Sequence, residues 1–369
     1  MVIYLRKHII IIAVNVLLII GFAICLLVSA TMKSSLRSQQ AAQTWAGQSG
    51  ERFAQLSAFF PQTAAFNEEG VYSLRHSLDN ALLGASLEST PGNTLYTDAW
   101  SGSGNTTVSI VGERGSANAK VIGVGGDFFL FHPLNLRDGS YLSPNDVMKD
   151  RVVLDEELAW RLFGSSRIAG FEVMINLKPF VIAGVISRES DFASSKAYAE
   201  SRESDSISST AFTDGGGLFM SYEALTEMSY GQTSITCYEI VLSDPISGFA
   251  KSVLTDAVSV SDVYIVENSE RFSLLNSFAA IRAFGERSMQ TSAITLPYWE
   301  NAARYTEDWL ALLLALSLLV IAFPLVCAIT YSVIGIRRLV AYIKMTVKRL
   351  IDKKDKRAYD RYLFEHNGR

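Results

Sequence analysis

Two long apolar runs dominate the pattern of hydrophobic and polar positions along the chain. No charged residue interrupts residues 9–32 or residues 309–336. Each run exceeds the roughly 20 residues that a helix needs to cross a bilayer. The pattern therefore predicts two transmembrane helices, one near each end of a chain of 369 residues.

The first run has a second interpretation, which is a cleaved secretory signal. Arg6 and Lys7 precede the run, and the small residues Val28-Ser29-Ala30 resemble a cleavage site. The apolar core of a signal typically has ~7–15 residues, so the length of this run favours an uncleaved helix.

Helical patterns follow the first span. Residues 33–66 are rich in Ala, Gln, Leu and Arg and lack proline until Pro61, which favours a helix that continues outward as a stalk. The apolar stripe of a second, amphipathic helix consists of Val71, Leu74, Leu78 and Leu82. Glu68 and Glu69 suit the N-terminus of that helix, and Gly84 suits its end.

The period then changes to the alternation of strands. The stretch "NTTVSIVGERGSANAKVIGVGGDFF" predicts a β-hairpin, with Gly125 and Gly126 as turn residues. Residues 152–154 predict a short buried strand, and a helix follows with Asp155 as its N-cap and Gly164 just past its end. The stretch "FEVMINLKPFVIAGVI" predicts two strands around a four-residue turn, "NLKP".

The elements between the spans predict an α+β fold with two α/β lobes on a helical stalk. The predicted segments are a first lobe over 67–186, a connection over 187–214, a second lobe over 215–270 and a returning stalk helix over 271–308. The connection is rich in Ser, Ala, Asp and Glu, so both a flexible link and a short helix fit it. Pro297 divides or kinks the returning helix. An aromatic belt at the headgroups is predicted from Tyr298, Trp299, Tyr305 and Trp309.

Charge predicts the orientation of the two spans. The formal net charge is −4, but residues 337–369 hold eleven Lys/Arg against four Asp/Glu, and residues 1–8 add Arg6 and Lys7. Residues 33–308 hold 20 Lys/Arg against 33 Asp/Glu. Because basic residues next to spans stay in the cytoplasm, we expect both termini to be cytoplasmic and residues 33–308 to lie outside the cell membrane.

The sequence lacks the usual motifs of catalytic and cofactor sites. It contains no G-x-x-x-x-G-K-[ST] loop for nucleotide phosphates, and its four histidines are scattered without metal-ligand spacing. His132 is interpreted as a packing residue, and Asp155, Glu156 and Glu157 as the start of a helix. We therefore expect a non-enzymatic protein without cofactor, metal or nucleic-acid partner.

An ordered series of short motifs runs through residues 121–186. They are V-I-G-V at 121–124, paired aromatics at 128–129, L-x-x-G at 136–139, V-V-L at 152–154, A-x-x-L-F-G at 159–164, I-x-G at 168–170 and V-I-A-G-V at 181–185. This order resembles the periplasmic core domain of MacB-type (FtsX-related) ABC transporter permeases. The resemblance implies a MacB-like core domain, a separate ATP-binding subunit and other permease subunits as partners. Such permeases have four spans, so a chain with two resembles a truncated permease half.

In that family the second span leads into a short cytoplasmic helix that contacts the ATPase. Here a stretch that we call the basic segment, residues 334–357, begins at the end of the second apolar run. Its apolar positions recur at helical spacing and basic residues fill the other side; the candidate site residues are Ile336, Arg337, Arg338, Leu339, Val340, Ile343, Lys344, Val347 and Lys348. Two compatible interpretations are an anchor on the anionic inner surface of the bilayer and a contact with an ATP-binding subunit.

The leading functional hypothesis is a non-catalytic permease-like subunit of an ABC-type complex, which transmits ATP-driven motion from a separate ATPase to the extracytoplasmic domain. The alternatives are a membrane-anchored sensor or ligand-binding receptor and an assembly scaffold. The thirty-three residues after Ile336 are too few for a kinase or cyclase domain, so a receptor needs a separate signalling partner.

Overall fold

The computed structural model contains two compact units. One unit is made of residues 29–312, and the other of the two ends of the chain, residues 1–28 and 313–369. The residues that the structure describes are 2–47, 50–87, 94–203, 217–282 and 294–366. Helices and strands below are numbered in chain order within these ranges.

The described helices and strands alternate along most of the chain. The helices are α1 Val2–Ser35, α2 Ala41–Ala46, α3 Glu68–Gly84, α4 Phe128–Phe131, α5 Glu156–Phe163, α6 Phe192–Glu203, α7 Tyr222–Met228, α8 Phe249–Ala257, α9 Leu274–Arg282 and α10 Tyr298–His366. The strands are β1 Phe53–Phe59, β2 Tyr96–Val111, β3 Ser116–Gly126, β4 Asn135–Gly139, β5 Arg151–Asp155, β6 Glu172–Ile175, β7 Lys178–Ser187, β8 Leu218–Ser221, β9 Cys237–Ser243 and β10 Tyr264–Glu267. This mixture confirms the predicted α+β fold class.

The unit formed by the two ends of the chain contains most of both apolar runs. Helices α1 and α10 are long and apolar enough to cross a membrane, and their most apolar windows are only 6% and 11% buried inside the molecule. Gly21 of α1 faces Val320 of α10, where an added Cβ atom would lie 3.6 Å from a methyl carbon of the valine. The predicted pair of spans is confirmed as a pair of helices.

The large unit is built on one mixed sheet. Its strand order is β10-β1-β9-β2-β3-β8-β5-β7-β4, and β6 pairs with both β2 and β7. Strand β1 pairs antiparallel with β10 on one side and with β9 on the other. Strands β3 and β8, and likewise β5 and β7, run parallel. The predicted hairpin is confirmed as β2 and β3, whose long ribbon pairs with β9 near one end of β2 and with β6 near the other. The prediction of Gly125 and Gly126 as turn residues is wrong, because both pair with β2 at the end of β3.

Two predicted helices match the structure closely. In α3 the Asn67 side chain accepts a hydrogen bond from the Gly70 backbone N–H, and the four buried residues are the predicted stripe Val71, Leu74, Leu78 and Leu82. In α5 the Asp155 carboxylate caps the helix by accepting from the Leu158 N–H, and Gly164 ends it in the left-handed region. The predicted strands around "NLKP" are confirmed as β6 and β7, but their turn has only two residues, Asn176 and Leu177, both with positive φ.

The predicted stalk helix over residues 33–66 is wrong for most of its length. Helix α1 ends at Ser35, and β1 occupies residues that the composition assigned to a helix. Helix propensity is a weak prior, and tertiary pairing overrides it here because β1 is fully buried between two neighbouring strands. The part of the large unit that follows Ser35, which we call the outer domain, therefore folds into short helices and strands from a few residues beyond the first apolar run.

The two predicted lobes are not consecutive segments of the chain. Strand β8, assigned to the second lobe, pairs with β3 and β5 of the first, and β9 pairs with β2. The flexible connection predicted over 187–214 contains α6, which fits the alternative of a short helix; Ala193, Ala197 and Tyr198 of α6 are buried. Residues 204–214 lie outside the described part.

The returning helix predicted over 271–308 is divided, as Pro297 suggested. Helix α9 ends at Arg282, and α10 begins at Tyr298, directly after the proline. The aromatic-belt prediction is wrong for Tyr298 and Trp299, because both side chains are buried in the core of the outer domain. Trp299 packs against Phe128 and His132, and Tyr298 against Tyr198, so core packing accounts for these aromatic side chains.

Candidate functional site

The candidate residues of the basic segment all lie on α10. The helix continues without a break from Tyr298 to His366, and each of the nine candidates is exposed. Successive apolar members such as Ile336, Leu339 and Ile343 are three or four residues apart, so they share one face of the helix. The structure thus brings these residues together as an apolar stripe with basic residues beside it. Such a surface is able to bind a bilayer surface or a groove in another protein.

The other end of α10 is fixed in the outer domain by buried charges. Arg271, which follows β10, donates two hydrogen bonds of 2.6 and 2.7 Å to the carboxylate of Glu300 and one of 2.5 Å to Glu307. Arg304, one turn after Glu300, donates a bond of 3.0 Å to the same carboxylate. We call these four residues the junction network. Burial alone would lower the pKa of Arg271, but the two carboxylates more than offset burial and raise it.

A chain of buried polar groups extends the junction network across the sheet. Asn268 lies next to Arg271 and donates to the Ser57 hydroxyl of β1 at 2.8 Å. Ser57 in turn lies 3.3 Å from a carboxylate oxygen of Glu239 in β9, and the other oxygen of Glu239 is 2.5 Å from Nε2 of His132. Buried polar groups are stable only when they are paired, so this chain fixes the relative positions of β1, β9, α4 and α10.

Aromatic rings enclose the first turn of α10. The Trp299 ring lies 4.3 Å from the His132 ring and 6.0 Å from that of Phe128, measured between centroids. The Tyr298 ring lies 4.7 Å from that of Tyr198 in α6. Burial raises the pKa of the Tyr298 hydroxyl well above its ordinary value. Packing and polar contacts therefore hold the start of α10 from several sides at once.

The prediction that His132 is a packing residue is confirmed, but its side chain also has an ionisable partner. The paired aromatics that precede it begin the short helix α4, which brings the histidine under Trp299 and beside Glu239. The sequence gives no signal for this pair, because 107 residues separate the partners. Among the described residues, no three His, Cys, Asp or Glu side chains come close enough to hold a metal ion.

A surface cavity of about 320 Å³ lies where the first turn of α3 faces the end of β3 and the start of α7. In its wall the Arg75 guanidinium makes two hydrogen bonds, of 2.8 and 2.6 Å, to Asp98 and lies 4.9 Å from the centre of the Trp100 ring. Gly125 permits this arrangement, since a Cβ atom there would lie 2.2 Å from the indole. The hydrogen bonds to Asp98 raise the pKa of Arg75. The wall carries charges of both signs, including Lys149 and Glu223.

The family model of the MacB-like periplasmic core domain matches residues 12–247. One curated relative, the macrolide export ATP-binding/permease protein MacB of Chromobacterium violaceum, is 36% identical over 73 residues, which are 19% of this chain and 11% of that protein. The protein of the same description from Aggregatibacter actinomycetemcomitans is 32% identical over 82 residues, which are 22% of this chain and 13% of that protein. The chain therefore spans only about a tenth of the length of these relatives.

Two solved structures align with part of this chain. The periplasmic region of MacB from Actinobacillus actinomycetemcomitans aligns with 22% identity and a TM-score of 0.36, covering 58% of this chain and 88% of that one. The extracellular domain of the noncanonic ABC-type transporter YknZ from Gram-positive bacteria aligns with 12% identity and a TM-score of 0.35, covering 57% of this chain and 99% of that one.

Proposed function

Because the chain belongs to the family with the MacB-like periplasmic core domain, we propose that it is a non-catalytic permease-type subunit of an ABC-type transport complex. It is a membrane protein with an extracytoplasmic domain. In this proposal a separate ATP-binding subunit binds the basic segment, and α10 transmits the ATP-driven motion to the outer domain. Other permease subunits complete the complex.

The observation that supports the proposal is the course of α10. One helix of 69 residues begins inside the core of the outer domain, contains the second apolar run and includes the basic segment. Transmission requires that the outer end of this helix be firmly attached. The junction network supports such an attachment, because Arg271 binds both Glu300 and Glu307, which lie about two turns apart on α10.

The proposal assigns two different roles to the surface of the basic segment. Basic residues attract an anionic membrane surface with about 1 kcal/mol each, and this attraction depends on total charge. A protein groove instead recognises the shape and register of an apolar stripe. A docking helix should therefore be sensitive to the loss of apolar side-chain volume from the stripe, whereas a simple anchor should be sensitive to the loss of positive charge.

The experiment compares three double variants of the full chain in native membranes. Leu339→Ala with Ile343→Ala removes stripe volume, whereas the matched control Tyr342→Ala with Met345→Ala removes apolar volume from the other side of the same exposed helix. We expect the first pair to abolish co-purification of an ATP-binding subunit and the control to retain it, at equal amounts of membrane-inserted protein.

The third variant, Lys353→Gln with Lys354→Gln, removes charge and keeps the stripe. We expect this variant to retain the ATP-binding subunit. If all three variants behave alike, or if the unmutated chain recovers no ATP-binding subunit, the docking role is wrong. The basic segment is then an anchor, and a receptor or scaffold becomes the better description.

A further inference from the structure

Helix α9 has the reverse of the usual amphipathic arrangement. Its large apolar side chains face outward: Leu274 is 66% exposed, Leu275 81% and Phe278 44%. The side that faces the domain carries the small residues Ser277 and Ala280, which are both buried. A surface helix of a soluble domain buries its apolar stripe against the core. The exposed apolar face of α9 therefore requires another apolar surface to cover it.

The N-terminal end of α9 lies next to residues that flank both apolar runs. The backbone carbonyl of Phe272, two residues before α9, accepts a hydrogen bond of 2.9 Å from Lys33, the first charged residue after the first run. Arg271 donates to Glu307, which stands two residues before the second run. Both contacts join the N-terminal end of α9 to residues that immediately flank the two apolar runs.

A second group of side chains, which is aromatic and includes the first residue of α6, also lies next to the second apolar run. Phe192, the first residue of α6, is largely exposed and lies 5.7 Å from the ring of Tyr305 and 6.0 Å from the ring of Trp309, between centroids. Trp309 begins the second apolar run. Tyrosine and tryptophan concentrate where the headgroups meet the acyl chains. An exposed phenylalanine beside them indicates that the outer domain meets lipid at this edge.

We propose that α9 is an interfacial helix, which lies on the outer leaflet with Leu274, Leu275 and Phe278 among the lipids. Nine residues give a helix of about 13 Å, and helices of this kind insert their apolar face about 5–10 Å into the boundary between headgroups and acyl chains. The partner is the bilayer itself, because the start of α9 contacts residues that flank both apolar runs and its exposed face is apolar. This contact goes beyond the proposed transport function, since it attaches the outer domain to the membrane at a place outside both spans.

The test measures the environment of a spin label on α9 in the full chain. Cys25, Cys237 and Cys327 are replaced by alanine, and the protein is placed in nanodiscs of phosphatidylethanolamine and phosphatidylglycerol. A label at Leu275→Cys is compared with one at Leu177→Cys, an exposed residue in the turn between β6 and β7. Collisions are measured with oxygen, which partitions into lipid, and with a neutral nickel complex, which stays in water.

We expect the ratio of oxygen to nickel collisions to be several-fold higher for the label at Leu275→Cys than for the label at Leu177→Cys. A label at Phe278→Cys must give the same result, which protects the conclusion if one variant folds poorly. A water-like ratio at both α9 positions overturns the proposal. Low collision rates with both reagents also overturn it, because they mean that a second copy or another protein covers α9.

Discussion

At the scale of single residues, the cost of burying charge determines which contacts matter. The side chains of Arg271 and Glu300 are almost inaccessible to solvent, and each satisfies the other through a two-pronged pair of hydrogen bonds. A pair of this kind contributes little compared with apolar residues of the same volume. Loss of Arg271, however, leaves the buried carboxylate of Glu300 with one cationic partner, Arg304, instead of two.

The substitution Arg271→Leu should therefore destabilise the protein by about 3–5 kcal/mol, because it removes two hydrogen bonds from the buried carboxylate of Glu300 and one from Glu307. The matched control is Lys178→Leu, which breaks the exposed ion pair with Glu227 and should cost less than about 1 kcal/mol. Chemical denaturation of the full chain in detergent, followed by near-ultraviolet circular dichroism, gives both values. Equal losses for the two variants would contradict the role assigned to the junction network.

The contacts among these buried charged residues could not be predicted from the sequence, for a physical reason. The candidate residues of the basic segment follow one another at helical spacing, so their shared face is visible in the sequence. Arg271 and Glu300 lie 29 residues apart, and His132 and Glu239 lie 107 apart, so the fold alone brings each pair together. Nothing local distinguishes these residues from the many solvated charges of the outer domain.

At the scale of elements, the buried apolar stripe of α3 leads to a quantitative prediction about stability. Leu78 of α3 is completely buried, whereas Leu83 on the same helix is 59% exposed. Leu78→Ala should destabilise the protein by about 2–5 kcal/mol, because it removes buried methyl groups and leaves a cavity. Leu83→Ala should change the stability by less than about 0.5 kcal/mol. Thermal unfolding of both variants by calorimetry tests this, and similar melting temperatures would show that α3 does not pack as described.

The elements that the sequence predicted correctly are those whose own residues determine them. Helix α3 has a stripe and an N-cap, and apolar and polar residues alternate along much of the β2–β3 hairpin. Strand β1, "FAQLSAF", has no β-branched residue, and Ala, Gln and Leu are good helix formers, so its composition favours a helix although residues 54–58 alternate. Its even-numbered side chains, such as Leu56, join one hydrophobic cluster, while Gln55 and Ser57 on the other face bond to buried polar groups. The pairing with two neighbouring strands outweighs the helix propensity of this segment.

At the scale of the whole molecule, the distribution of charge predicts the orientation in the membrane. The excess of Lys and Arg after the second apolar run, together with Arg6 and Lys7 before the first, favours cytoplasmic termini. A membrane-impermeable maleimide added to intact cells should label Tyr230→Cys, an almost fully exposed position of the outer domain. It should not label Lys353→Cys until the membrane is permeabilised. Labelling of Lys353→Cys in intact cells would show that the predicted orientation is wrong.

The position of β1 in the sheet also has a consequence for the order of events during synthesis. Leu56 pairs with Ile240 of β9 and with Glu267 of β10, so both partners of this strand emerge about 180 to 210 residues later. Contacts this distant in sequence require the closure of a long loop and form slowly. Until translocation delivers β9 and β10, two unpaired strand edges stay open to other chains. Secretion of the last third of the outer domain thus sets the earliest moment at which the nascent protein is safe from aggregation.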